Sequence, residues 1–89
     1  MTAIVNVRLF GTQEISIYDE KEDKIVETRL VTSIKNIDEQ VNMILAKYQI
    51  SEVVLYGAKV FTKKIGSYIT EKVLTAYGKN DIKITYKEH

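Results

Sequence analysis

The periodicity of apolar residues alternates between two kinds along this chain of 89 residues, and their order limits the folds that the chain can adopt. In the first third, apolar and polar residues alternate with a period of two, which predicts β-strands. Further on, two segments with apolar residues three and four positions apart predict helices, and each precedes another strand-like run. The predicted elements are strands at 3–10, 14–19 and 25–32, a helix from 36 to near 49, a strand at 52–57, a second helix closing at 78, and a strand at 81–87.

This order predicts a single α/β domain spanning residues 1–89, with one mixed five-stranded sheet in β-β-β-α-β-α-β order. Three strands separated by short polar turns are expected to pair as antiparallel neighbours. The two helices are expected to act as crossovers that add parallel strands. A chain of this length has room for one hydrophobic core and not for two.

Three residues mark expected features of the helices. Asn36, with Glu39 three residues later, predicts an N-cap for the first helix, and Gly78 predicts a left-handed C-cap for the second. Gly66 falls inside the second helix, where glycine costs about 1 kcal/mol relative to alanine. We therefore expect either a close packing contact at Gly66 or a later helix start. The core face of this helix is predicted to carry Phe61, Ile65, Ile69, Val73 and Tyr77.

The composition excludes several classes of function. Thirteen basic and twelve acidic residues give a net charge of +1, unlike the strongly basic balance of many nucleic-acid-binding proteins. The chain has no cysteine, and its one histidine, His89, is the last residue, so thiolate and histidine catalysis are not expected. No window approaches the roughly 20 apolar residues of a membrane span. These features predict a cytoplasmic protein without membrane contact.

Two stretches carry a resemblance to a known architecture. Residues 8–12, Arg-Leu-Phe-Gly-Thr, stand where the first strand of that architecture ends in Ile-Asp-Pro/Leu-Gly-Thr. Residues 53–61 resemble an apolar strand that ends at a glutamate and continues through a Phe-containing turn into a helix. With the order of elements, these stretches resemble the ribonuclease H-like fold of Holliday-junction resolvases and of actin-like ATPase half-domains.

The resemblance also implies that the catalytic acids are absent. The aspartate of the first strand falls on Leu9, and the glutamate of the fourth falls on Tyr56 or Gly57. The third acidic residue of the nucleases would lie on a helix after the last strand, beyond the end of this sequence. Phosphodiester hydrolysis with two metals needs carboxylates that hold the cations. We therefore expect no enzymatic activity, no metal and no cofactor, and a degenerate nuclease using Glu14 or Asp19 is the least favoured interpretation.

Gly57 raises the alternative of a phosphate-binding turn, because it follows an apolar strand and precedes three lysines. It lacks the further glycines and the Lys-Ser/Thr pair that such a loop requires. We expect Gly57 to turn a buried strand into a helix.

The favoured function is a non-catalytic binding module that acts through protein–protein contacts. Its partner would be a second copy, in a homodimer or larger oligomer, or a larger protein that it inhibits or modulates, as a phage accessory protein would. Six tyrosines in a small chain and an unpaired sheet edge support this interpretation. The composition is typical of a bacterial or phage protein.

The alternative is nucleic-acid binding by a patch of basic and aromatic side chains. Lysines would contact phosphates and tyrosines would stack on bases. Lysines at these positions are equally typical of the solvated face of an amphipathic helix, which is the interpretation we favour for them. The candidate binding residues are Arg8, Tyr56, Lys59, Lys63, Lys64 and Tyr68.

Overall fold

The computed structural model describes residues 1–7, 13–32, 36–75, 78 and 81–88, except for the side chains of residues 72 and 73. Five strands and two helices follow one another in the predicted order. A π-helical segment, Thr70–Thr75, continues the second helix. The elements are β1 Thr2–Asn6, β2 Gln13–Asp19, β3 Lys24–Val31, α1 Ile37–Lys47, β4 Glu52–Tyr56, α2 Lys59–Ile69 and β5 Lys83–Lys87.

The five strands form one mixed sheet in the order β3-β2-β1-β4-β5. The first three strands pair antiparallel, and β4 lies parallel to both β1 and β5. The two helices pack against each other, so they cover the same face of the sheet. The predicted α/β class and sheet are confirmed, and β3 and β5 are the edge strands.

The core lies between this face and the two helices. Alternate residues of β1 and its continuation, Ala3, Val5 and Val7, are buried as their period of two predicts. On α1, the buried side chains lie three and four residues apart, as predicted. The other fully buried side chains include Ile15, Ile17, Val31, Ile37, Ile44, Val53, Leu55 and Ile69.

The face of the sheet opposite the helices, here called the open face, carries a different set of side chains. Cross-strand pairing aligns Ser16, Ile4, Val54 and Thr85 in one row across β2, β1, β4 and β5. Val54 is only 7% exposed although no described helix covers it. The central residues of β4, residues 53–55, are therefore buried on both faces, as their continuous run of apolar side chains indicates.

Local details differ from the predictions at several points. Asn36 is the N-cap residue of α1, as predicted, but its side chain makes no capping hydrogen bond. Phe61 is 37% exposed rather than in the core, because α2 turns Thr62, Ile65 and Gly66 toward the sheet. The pairing of β2 with β3 is interrupted by an irregularity after Ile17, which alternation alone did not predict.

Gly57 turns β4 into α2 by a backbone conformation that favours glycine. Its φ is +148°, and its amide donates a hydrogen bond of 3.1 Å to the carbonyl of Lys87. A Cβ at this position would lie 2.7 Å from the carbonyl oxygen of Val7. The chain bends here because only glycine fits beside Val7, and the amide of Gly57 is used within the fold.

Candidate functional site

The three candidate lysines of α2 lie on its solvent-exposed side. Lys59 begins the helix immediately after the turn at Gly57, and Lys63 and Lys64 follow one turn later. All three are exposed, and none pairs with a carboxylate among the residues that the structure describes. Val60, which is 75% exposed, lies between them on the same side. This arrangement is the solvated helix face that amphipathic spacing predicts.

Tyr56 lies at the end of β4 and on the open face, away from the outer side of α2. It pairs with Asn6 on β1 and with Lys87 on β5. The ammonium group of Lys87 lies 5.8 Å from the centre of the Tyr56 ring, within the range of a cation–π contact. Lys87 was not among the predicted binding residues.

The remaining candidates do not join these residues. Tyr68 is partly buried and packs against the hydrophobic core from α2. Arg8 lies outside the described residues, as does Leu9, the predicted position of the first catalytic acid. The structure therefore divides the predicted patch between the outer side of α2, the open face and the core.

A second surface, which the sequence did not single out, surrounds the edge strand β3. Four exposed apolar side chains define it, and we call it the edge surface. Three of them belong to β3 itself, and the fourth lies on α1 between two residues that bond to β3. Its members and their exposed fractions are Ile25 48%, Val26 36%, Leu30 67% and Met43 46%.

A polar network anchors β3 to α1 beside the edge surface. Glu27 accepts hydrogen bonds from Lys47 at 2.7 Å, from Arg29 at 2.5 Å and from the hydroxyl of Tyr48 at 3.0 Å. Arg29 also donates to the side-chain oxygen of Gln40 at 3.1 Å. The hydrogen bond from Lys47 and then that from Arg29 hold the pKa of Glu27 at about 2, below its ordinary value of 4.5.

The network also acts on Lys47. The carboxylate of Glu27 raises the pKa of the Lys47 ammonium group by a hydrogen bond and by its charge. Two turns of α1, from Gln40 to Lys47, are thereby fixed over β3.

At the carboxyl ends of the parallel strands, where open α/β sheets commonly bind ligands, the side chains are mostly uncharged or basic. Asn6 and Tyr56 are direct neighbours there, and Glu14 lies opposite Asn6 on β2. Within the described residues, no group of three or more acidic or histidine side chains is placed to hold a metal ion. The same residues contain no helix long and apolar enough to cross a membrane.

Comparison with solved structures identifies the fold. The chain superimposes on T. thermophilus RuvC in complex with a Holliday junction substrate, with a TM-score of 0.67 and 11% sequence identity. The likeness covers 98% of this chain and 63% of the RuvC chain. The fold is ribonuclease H-like, which confirms the predicted architecture, and the chain spans less than two thirds of the length of RuvC. No family model and no curated protein matches the sequence.

Proposed function

We propose that this chain is a non-catalytic ribonuclease H-like module that binds protein through the edge surface around β3. One observation carries the proposal. Of seven exposed large apolar side chains among the described residues, four make up the edge surface. The remaining three are Val60 and Phe61 on α2 and Tyr86 on β5.

The backbone of β3 supports the same conclusion. An edge strand presents N–H and C=O groups that no neighbouring strand satisfies, and adding a strand from another chain satisfies them. β3 is eight residues long, and Leu30 near its end is two-thirds exposed. Covering Leu30 would remove apolar surface from water, at roughly 25 cal/mol for each Å² buried. A strand contributed by a partner would therefore gain both main-chain and apolar contacts.

The proposal that the module is non-catalytic rests on the side chains at the ends of the parallel strands. Hydrolysis with metal ions requires several carboxylates around one position. Asn6 and Tyr56, the last residues of β1 and β4, offer an amide and a phenol, and Glu14 contributes one carboxylate nearby. A single carboxylate is a weak basis for binding two cations.

The experiment compares matched variants on two surfaces. Immobilised wild-type protein should retain either free copies of the chain or another bacterial protein. Leu30→Lys, which places a charge at the most exposed apolar residue of the edge surface, should abolish that retention. Lys63→Glu/Lys64→Glu, on the outer side of α2, should leave retention unchanged. Equal retention by wild type and Leu30→Lys, with both folded by circular dichroism, would refute the proposed surface.

A second candidate function is binding to a nucleic-acid backbone by the α2 lysines. It is favoured by the exposure of Lys59, Lys63 and Lys64 without a carboxylate partner among the described residues. The RuvC structure with the same fold holds a Holliday junction. The two functions use different surfaces, so the same pair of variants separates them.

A further inference from the structure

We propose that the partner at the edge surface is a second copy of this chain, whose β3 pairs antiparallel with the first β3 around a two-fold axis at Thr28. The inference rests on the proposed function, because it names the partner of that surface. It would join two five-stranded sheets into one sheet of ten. The argument depends on symmetry, on the faces of the β3 side chains and on their charges.

Symmetry limits the registers that two copies of β3 can adopt. Two identical antiparallel strands side by side are related by a two-fold axis perpendicular to the sheet. Such an axis keeps the helices of both copies on the same side of the joined sheet. In an antiparallel pair, two residues that lie directly opposite each other point to the same face. The axis must therefore pass through a residue and not between two residues.

The faces of the β3 side chains follow from their pairing with β2. Glu27 and Arg29 lie opposite Ile17 and Ile15, whose side chains are buried under the helices. Thr28 and Leu30 lie opposite Ser16 and Glu14 on the open face. Glu27 and Arg29 thus flank Thr28 on the helix-bearing face, one residue to either side.

Charge then distinguishes the available registers. An axis at Glu27 opposes two carboxylates, and an axis at Arg29 opposes two guanidinium groups; like charges placed directly opposite destabilise a sheet. An axis at Thr28 places Glu27 of each copy opposite Arg29 of the other, twice in one interface. An axis at Val26 or Leu30 pairs no opposite charges within Lys24–Val31. The register at Thr28 is therefore the one that β3 favours.

Arg29 has hydrogen-bonding capacity left for this contact. Its Nε donates to Glu27 and its Nη1 donates to Gln40. A guanidinium group has five N–H donors, so further donors remain for the carboxylate of the second copy. The charged pair need not break the network that fixes β3 to α1.

The same register places exposed apolar side chains of the two copies next to each other. Leu30 and Val26 lie two residues to either side of Thr28, so Leu30 of each copy lies beside the irregular segment Ile25–Val26 of the other. Met43 lies three residues after Gln40 and four before Lys47, both of which bond to β3, so it projects from the side of α1 that borders the new junction. The one two-fold contact thus shields exposed apolar surface on both faces of the sheet, Leu30 with Ile25–Val26 on the open face and Met43 on the face that carries α1.

Cysteine substitution tests the register, because the chain has no cysteine of its own. Directly opposite residues have Cα atoms roughly 4.5 to 5.5 Å apart, which suits a disulfide. Thr28→Cys should form covalent dimers under mild oxidation at least about tenfold faster than Lys63→Cys, a control for random collision on α2. Leu30→Cys, on the same face, should cross-link slowly, since its two sulfur-bearing residues would be offset by four residues, roughly 13 Å.

Sedimentation of the wild-type chain provides a measurement that no substitution can disturb, and it should detect a dimer at high micromolar concentration. The inference is overturned if the wild type stays monomeric up to millimolar concentration, if Thr28→Cys cross-links no faster than Lys63→Cys, or if Leu30→Cys cross-links fastest. If Leu30→Lys still abolishes retention of a different protein, only the self-pairing fails. If Leu30→Lys changes no retention, the proposed function fails as well.

Discussion

The phenol ring of Tyr86, on β5, lies directly against the backbone of Gly66 in the middle of α2. A Cβ added to Gly66 would stand 2.7 Å from Cε1 and 2.9 Å from Cζ of Tyr86. The glycine that weakens a helix by about 1 kcal/mol is therefore the residue that lets β5 and α2 approach each other. Of the two explanations that the sequence left open, a close packing contact is the correct one.

Gly66→Ala tests this contact in two backgrounds. In the wild type, the added methyl must displace the end of the Tyr86 side chain, which is 43% exposed and can move. We expect this cost to cancel most of the helix-propensity gain of about 1 kcal/mol. In a Tyr86→Ala background the space is open, and the same change should raise stability by about 1 kcal/mol. Urea unfolding of the four proteins forms the double-mutant cycle. Equal effects in the two backgrounds would contradict the contact.

Gly57→Ala should be far more harmful than Gly78→Ala. At Gly57 the added Cβ meets the backbone oxygen of Val7, which cannot rotate away, and we expect a loss of at least about 3 kcal/mol. Gly78 also has a positive φ, +69°, but a Cβ added there would meet no atom of the described residues within 4 Å. Gly78→Ala should therefore lower the free energy of unfolding by only about 1 kcal/mol. Thermal unfolding of both variants measures the difference, and similar losses would refute the close approach.

Acid unfolding should depend on Glu27. Its pKa in the folded state is about 2 against an ordinary value of 4.5, because Lys47, Arg29 and Tyr48 bond to the carboxylate. A lowered pKa stabilises the fold above about pH 4.5, and that stabilisation is lost as the pH falls from 4.5 toward 2. The decrease in the free energy of unfolding between pH 7 and pH 3 should be smaller in Lys47→Met than in the wild type, and smallest in Glu27→Gln. Urea unfolding at pH 7 and pH 3 measures it, and an unchanged decline in Glu27→Gln would contradict the network.

Any nucleic-acid binding should depend on salt and on the α2 lysines. Each phosphate contact lowers the logarithm of the association constant by roughly 0.7 to 0.9 per unit of log salt concentration. Lys63→Glu/Lys64→Glu should abolish binding to branched or single-stranded DNA, and Leu30→Lys should preserve it. Fluorescence anisotropy at several salt concentrations checks both expectations. Binding that survives the charge reversal would exclude these lysines as the phosphate contacts.

Much of the fold could be predicted because its signals are local. The period of two in β1 and β2 and the helical spacing in α1 correctly predicted which side chains are buried. The π-helical segment Thr70–Thr75 was missed because its apolar spacing resembles that of an α-helix. The N-cap position at Asn36 was predicted correctly, although its side chain makes no hydrogen bond to the helix.

The candidate surface was harder to predict, since it depends on contacts between distant parts of the chain. Leu30 and Met43 lie on different elements, and the spacing of apolar residues in neither element indicates that both are exposed beside the same strand. Only the sheet order shows that this strand, β3, lies at an edge. Likewise, nothing in the sequence near Glu27 indicates its bonds to Lys47 and Tyr48, twenty and twenty-one residues away.

The central claim is that protein contact occurs at β3, and hydrogen exchange tests it most directly because it reports both edges of the sheet at once. The protein is compared in its free form and bound to whatever it retains, whether a second copy or another protein. We predict that those amides of Lys24–Val31 that point away from β2 become protected on binding and that the amides of Lys83–Lys87 do not change. Protection confined to β5 or α2, with β3 exchanging as in the free protein, would contradict the account.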